Sequence, residues 1–274
     1  MKTLFIPCRL DGLKHAGSAR IRCEWVAKHW EGAEVYDASQ RFAGYDLYVF
    51  QKAYLSSTSL QFIVRAAQWR DEGKCRLAFD LCDADFLDWT YKNRMLDVLP
   101  MFDFCVGATD PITDWLKQYN YAYTIPDCVD VEAVRAIGTA THTDTVTPFL
   151  VWAGYENNQE PLMKLLPIIG RLGWPLEIVT VKSSIPFEEY WQRVLTSGDG
   201  TPHDILLNPQ SDTGKYRYKS DNKTMIAHAL GMSVATCEED LRQLADPAER
   251  AKEKPTRPVS LAVDAWKKLM EVWL

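Results

Sequence analysis

The chain of 274 residues has no run of 18 apolar residues, the usual mark of a membrane-spanning helix. The opening Met1-Lys2-Thr3-Leu4-Phe5-Ile6-Pro7 turns polar too soon for a secretory signal. The seven cysteines, at 8, 23, 75, 82, 105, 128 and 237, include no Cys-x-x-Cys pair. An odd, dispersed set argues against a zinc site or a disulfide framework and for reduced thiols, so a cytoplasmic protein is expected. An excess of basic charge is also missing: 31 Lys and Arg against 37 Asp and Glu leave a net charge of −6. That balance disfavours a protein that coats nucleic acid through its overall field, though it leaves room for a local basic cleft. No Gly-x-Gly-x-x-Gly occurs after a strand-like run, which removes the dinucleotide fingerprint.

What is present is a globular composition, 47% apolar and 25% charged. The length suits one large or two moderate domains, each with its own core. Apolar runs of strand length alternate with helical periods. Residues 3–7, 34–36, 46–51, 75–81, 102–108 and 121–125 read as strands, and residues 57–71 as a helix with Leu60, Ile63, Val64 and Ala67 on one face. Ile21, Trp25, Val26 and Trp30 share a helical period after the first strand. The Thr-rich stretch 138–148 carries neither period and reads as a linker. The alternation then restarts: strands at 149–154, 176–181, 204–208 and 234–235, with helices at 159–172 and 187–195. Residues 259–274 place Leu261, Ala262, Ala265, Leu269 and Val272 at helical spacing, a helix suited to packing on a domain or to dimerisation. This order is that of an α/β protein with parallel sheets.

Three stretches carry candidate chemistry. Gly17-Ser18-Ala19-Arg20-Ile21-Arg22 follows the first strand, and Ser18 as N-cap would make an anion-friendly helix start. Arg20 and Arg22 cannot share one helical face, so one is expected at the ligand and the other at the surface. His15, in the same loop, is a candidate acid or base, or a solvated loop histidine. Asp80-x-x-Asp83-x-Asp85 closes the fourth strand, where open α/β sheets hold ligands. Crowded acids repel, which would raise one pKa toward that of a general base, with Asp83 the first choice and Asp80 the second. A helix N-cap, a metal site and solvated loop acids remain open for the same three.

The third stretch is Lys219-Ser220-Asp221-Asn222-Lys223, leading into a helix with Met225, Ile226, Ala229 and Leu230 on one face and ending at Gly231. Ser220 or Asp221 is its expected N-cap. A helix N-terminus flanked by Lys219 and Lys223 suits a phosphate. An ordinary αβ unit with a solvated basic loop would read the same way. Asn208, at a strand end, has an amide suited to a base or a sugar.

Lys219 to Lys223, followed by Ala-Leu-Gly-Met-Ser-Val-Ala-Thr, resembles the donor-binding segment of GT-B glycosyltransferases, in particular the bacterial glycosyl transferases group 1. The 17–22 loop is similar to the first loop of a subset of that family, and Ile125-Pro126-Asp127-Cys128-Val129-Asp130 to its Ile-Pro-Asn-Gly-Val-Asp-like signature, with Asp127 and Cys128 departing from it. The resemblance spans nearly the whole chain. It implies two Rossmann-like domains facing each other across a cleft: an acceptor-side domain over 1–137, a linker over 138–148 and a nucleotide-sugar-binding domain over 149–258. The final helix, 259–274, would return to the N-terminal domain.

The resemblance further implies a hexosyltransferase that uses a UDP- or GDP-sugar donor and requires no metal ion or other cofactor. Gly17, Ser18, Arg20, Gly154, Asn208, Lys219, Ser220, Asn222 and Lys223 would bind the donor. Lys182 would replace the family's basic residues missing after Gly154, or be a surface lysine. Asp83, Asp80 or His15 would act on the acceptor: a glycan, a small molecule or a hydroxymethylated DNA base as in some viral enzymes. Ile226 stands where many relatives carry the glutamate that holds the donor ribose, so a non-catalytic nucleotide-sugar-binding protein of the same fold is the alternative.

Overall fold

Ten parallel strands in two sheets form the frame of the computed structural model, which describes residues 1–8, 17–37, 41–55, 57–141, 147–180 and 185–273. Two compact units share the chain. The first comprises Met1–Cys128, Arg217–Ser220 and Pro258–Leu274, and the second Val129–Tyr216 and Asp221–Arg257.

In the first unit β1 (Thr3–Ile6), β2 (Ala33–Val35), β3 (Leu47–Gln51), β4 (Arg76–Leu81), β5 (Phe104–Gly107) and β6 (Ala122–Thr124) lie in the order β2-β1-β3-β4-β5-β6. The central strands are buried along nearly their whole length, as parallel strands covered on both faces must be, which explains their continuous apolar runs. The strand order reverses direction between β1 and β3, the kind of position where open α/β sheets bind ligands beyond their carboxyl ends.

The helix expected over 57–71 runs from Ser57 to Asp71. The segment after β1 is less regular. A short helix over Gly17–Ala19 passes through a π-helical turn at Arg20–Glu24 into a helix over Trp25–Lys28. The final helix, Val259–Trp273, belongs to the first unit. Trp266 meets Phe5 edge-on at a centroid distance of 6.0 Å, and Trp273 stacks on Phe104 at 5.1 Å.

In the second unit β7 (Leu150–Gly154), β8 (Leu176–Thr180), β9 (Ile205–Leu207) and β10 (Ser233–Ala235) lie in the order β10-β9-β7-β8. The chain leaves β7 to one side for β8 and crosses to the other for β9, so this sheet's reversal lies between β7 and β9. Trp152, Leu162, Ile168, Leu207 and Leu241 belong to its core. The single helix read over 159–172 is two, Glu160–Met163 and Leu166–Leu172, each with a proline in its first turn. Proline has no N–H to continue a helix but fits a helix start, so Pro167 opens a second helix instead of extending the first. The stretch read as a linker over 138–148 begins inside this unit, where the Ala140 N–H donates to the Leu230 carbonyl at 2.7 Å. Residues 142–146 lie outside the described residues.

Candidate functional site

Beyond the carboxyl ends of β3 and β4, the first unit gathers charge of both signs. Lys52 directly follows β3, and Asp83 and Asp85 follow β4. The Lys52 ammonium lies 3.0 Å from Asp83 Oδ2 and 2.7 Å from Asp85 Oδ2. Lys219 reaches the other oxygen of Asp83 at 2.9 Å, and the Tyr54 hydroxyl donates to Asp85. The Cys82 thiol lies 3.9 Å from Asp83 Oδ2.

These contacts reverse the expected electrostatics. The acids do not face one another unpaired. Burial alone would push the Asp83 carboxyl up, but the ammoniums of Lys52 and Lys219 outweigh it and hold Asp83 below the ordinary carboxylate range. Among the described residues no group of three His, Cys, Asp or Glu side chains is placed to hold a metal ion.

Asp80 lies within β4 and is completely buried. Arg22 grips its carboxylate with Nη2 at 2.8 Å from Oδ1 and Nε at 3.0 Å from Oδ2. The same guanidinium reaches the Ile125 carbonyl and, at 3.2 Å, Asp127 Oδ1, while Ser220 Oγ donates to Asp127 Oδ2 at 2.6 Å. Burial raises the Asp80 carboxyl against the pull of Arg22, yet both its oxygens are occupied. Asp80 thus anchors a buried network. The division of Arg20 and Arg22 into a ligand arginine and a surface arginine also fails, because both are buried, at 9% and 3% exposure. The π-helical turn is the local reason, since its wider winding departs from the helical spacing assumed for the pair.

Gly17 is exposed and Ser18 half-buried. The helix already begins at Gly17, so Ser18 sits inside the first turn and is not its N-cap. His15 and Lys182 lie outside the described residues.

The second unit builds a different site, at the reversal between β7 and β9. The helix Asn222–Ala229 opens there. Asp221 occupies the N-cap position, but its carboxylate forms a two-pronged pair with Arg257 at 3.0 and 2.8 Å and makes no capping bond. Neither expected N-cap acts as one, since Ser220 is engaged with Asp127. Lys223, in the first turn, donates to the Ala153 carbonyl at 2.7 Å and lies 5.8 Å from the centre of the Trp152 ring.

Gly154 ends β7 beneath that lysine. A Cβ placed there would come within 3.0 Å of the Trp152 ring and 3.1 Å of Lys223 Nζ. The absence of a side chain is what lets the ammonium approach the strand end. Asn208, just past β9, donates from its amide to Thr224 Oγ1 at 3.0 Å. Gly154, Asn208, Asn222 and Lys223 are therefore brought together, joined by Thr224, which the sequence reading passed over. Ile226 is 3% exposed and lies on the buried face of this helix. Lys219 and Ser220 belong to the first unit and Asn222 and Lys223 to the second.

No family model matches the sequence, and a search of curated proteins likewise finds no match. Solved structures do match over the whole length. HepE of Anabaena, crystallised with UDP-glucose, aligns with a TM-score of 0.54 at 11% identity, covering 99% of this chain and 100% of its own. The catalytic domain of starch synthase IV from Arabidopsis thaliana, bound to ADP and acarbose, aligns with a TM-score of 0.53 at 8% identity and covers 99% of both chains. The chain has the GT-B fold, with two Rossmann-like domains.

Proposed function

We propose that the protein is a glycosyltransferase whose second unit binds a nucleotide-diphosphate sugar and whose Asp83 accepts the proton of the acceptor hydroxyl. The observation that carries this reading is the cluster at the β7–β9 reversal: Lys223 over Gly154, at the start of a helix that Asp221 leaves uncapped. A cation and a helix N-terminus both favour phosphate oxygens, and a glycine strand end permits close backbone approach. The UDP-glucose held by HepE, a protein of the same fold, is in keeping with such a donor.

In the transfer the acceptor oxygen forms a bond to the anomeric carbon while the bond from that carbon to the diphosphate breaks. The electron pair leaves with the nucleoside diphosphate, and the ammonium of Lys223 stabilises the charge that builds there. Asn208 and Thr224 are proposed to orient the sugar or the base. The acceptor proton passes to Asp83, whose depressed pKa keeps it ionised at neutral pH and so able to receive one. Gly17, Ser18 and Arg20 remain proposed donor contacts of the first unit, and hexosyl transfer is the proposed subclass. Ile226 cannot hydrogen-bond ribose hydroxyls, so the ribose would be held by other groups.

The test is calorimetric titration of UDP-, GDP-, ADP- and dTDP-sugars into the protein, followed by assay of sugar release or transfer. Binding of one donor with turnover supports the proposal. Binding with neither hydrolysis nor transfer would favour a non-catalytic binding protein.

A further inference from the structure

Lys52 is the one non-glycine residue with a left-handed backbone among the described residues, at φ 52°. For a residue with a Cβ that conformation costs on the order of 1–2 kcal/mol. A glycine would meet the turn after β3 without that cost, so the turn does not explain a lysine there. The side chain does. Its ammonium, on a side chain only 11% exposed, lies 3.0 Å from Asp83 Oδ2 and 2.7 Å from Asp85 Oδ2. Its own N–H donates to the Asp80 carbonyl at 3.0 Å, tying the strained residue to the neighbouring strand. Lys219, the second cation on Asp83, has a side chain 41% exposed.

Resting on the reading of Asp83 as the proton acceptor, we infer that Lys52 is the positioning residue for that carboxylate. It fixes one oxygen of Asp83 and maintains its charge, while Lys219 serves as the exposed, exchangeable partner of the other. Among the described residues, the groups that face Asp83 are Lys52, Lys219 and the Cys82 thiol. Asp85 shares Lys52 and is itself held by the Tyr54 hydroxyl, and Asp80 is neutralised by Arg22. Removing Lys52 thus takes away the more buried of the two cations on Asp83 and leaves Asp85 as an added negative neighbour. Both changes make protonation of Asp83 easier.

The test follows the Asp83 carboxyl directly, by carbon NMR titration of aspartate-labelled protein, with the resonance assigned by its loss in Asp83→Asn. In Lys52→Met, or Lys52→Gln where the methionine variant does not fold, the Asp83 midpoint should rise by about one pH unit or more. Lys52→Arg should keep it near wild type, and Lys219→Met should move it less than Lys52→Met does. With donor and acceptor in hand, the acid limb of the kcat/KM profile should move by the same amount, and kcat at neutral pH should fall by about tenfold through lost positioning, even though the freed carboxylate is the stronger base, with the donor dissociation constant unchanged. An unmoved NMR midpoint in a folded Lys52→Met or Lys52→Gln variant overturns the inference. So does a larger shift in Lys219→Met. If the midpoint moves as expected but Asp83→Asn turns over like wild type, Asp83 is not the base and the role given to Lys52 falls with it.

Discussion

At the residue scale, the proposed function assigns donor binding to Lys223 and proton transfer to Asp83, and the two can be tested separately. Lys223→Ala removes the ammonium above Gly154, with one hydrogen bond to the Ala153 carbonyl and a contact with the buried Trp152 ring, so donor affinity should fall about tenfold or more while the melting temperature falls by only a few degrees. Calorimetry and a thermal scan check this together. Gly154→Ala makes the same point by crowding, because its methyl would press on Lys223 Nζ and the rigid Trp152 ring, 3.1 and 3.0 Å away. It should weaken donor binding even though no charge is lost. Asp83→Asn should abolish most turnover in a protein that still folds and binds donor.

These residues were legible to different degrees. The lysine and the two strand-end positions stood out because helix starts and strand ends can be read from local pattern. Lys52 and Tyr54 did not, and Asp127 was noticed only as a departure from the resemblance, because what marks them is a partner 31 residues away for the first two and a guanidinium 105 residues away for the third. The expectation of a raised carboxyl pKa failed at Asp83 for the same reason, since the cations that hold it down are Lys52, just after β3, and Lys219, whereas Asp80 is raised by burial and not by crowding of the acids.

At the element scale, the buried network around Arg22 joins the π-helical turn, β4 and the segment after β6. Arg22→Ala would leave the fully buried Asp80 without its counter-ion. Losing one member of a buried pair costs about 3–5 kcal/mol, and chemical denaturation should show a loss of that size. The helix Asn222–Ala229 offers a pH-dependent check. Burial holds the His228 imidazole below its ordinary pKa, against the upward pull of its bond to the Pro255 carbonyl. The unfolded chain then binds this proton more readily than the folded one, so stability is present above the ordinary histidine value of about 6.5 and falls as pH drops below it. His228→Gln should flatten that dependence in melts taken between pH 5 and 8.

The elements themselves were largely readable. Every strand expected from an apolar run is present, and the helices Ser57–Asp71 and Phe187–Leu195 have the expected ends. The misses are helices that were not read at all, such as Trp89–Val98 and Glu238–Gln243, and two places where proline or a π turn breaks a regular period, at Pro167 and at Arg20–Glu24. Hydrophobic spacing continues across both and so conceals them.

At the scale of the whole molecule, the GT-B arrangement of two parallel sheets explains why a chain so dissimilar in sequence to its structural neighbours was still readable: the alternation of strand and helix is repeated, and each repeat announces itself. The return of the final helix to the first unit was expected from the resemblance, whereas its spacing alone left dimerisation open. The final helix looks amphipathic in sequence, and the structure shows Trp266 on Phe5 and Phe104 in the first unit. Trp266→Ala should therefore cost about 3–5 kcal/mol, measured by denaturation. Donor specificity, on the proposed reading, is the least legible part: Ile226, where the resemblance would put a ribose-binding glutamate, is buried.

The most direct test of donor binding by the second unit is a thermal scan with each of a panel of nucleotide sugars, run on the wild type and on Lys223→Ala. A ligand at 100 times its dissociation constant adds about 2.7 kcal/mol of stability, enough to move the melting temperature by several degrees. The account predicts such a rise for at least one nucleotide sugar in the wild type and its loss in the variant. No rise with any of them, or an equal rise in both proteins, would contradict it.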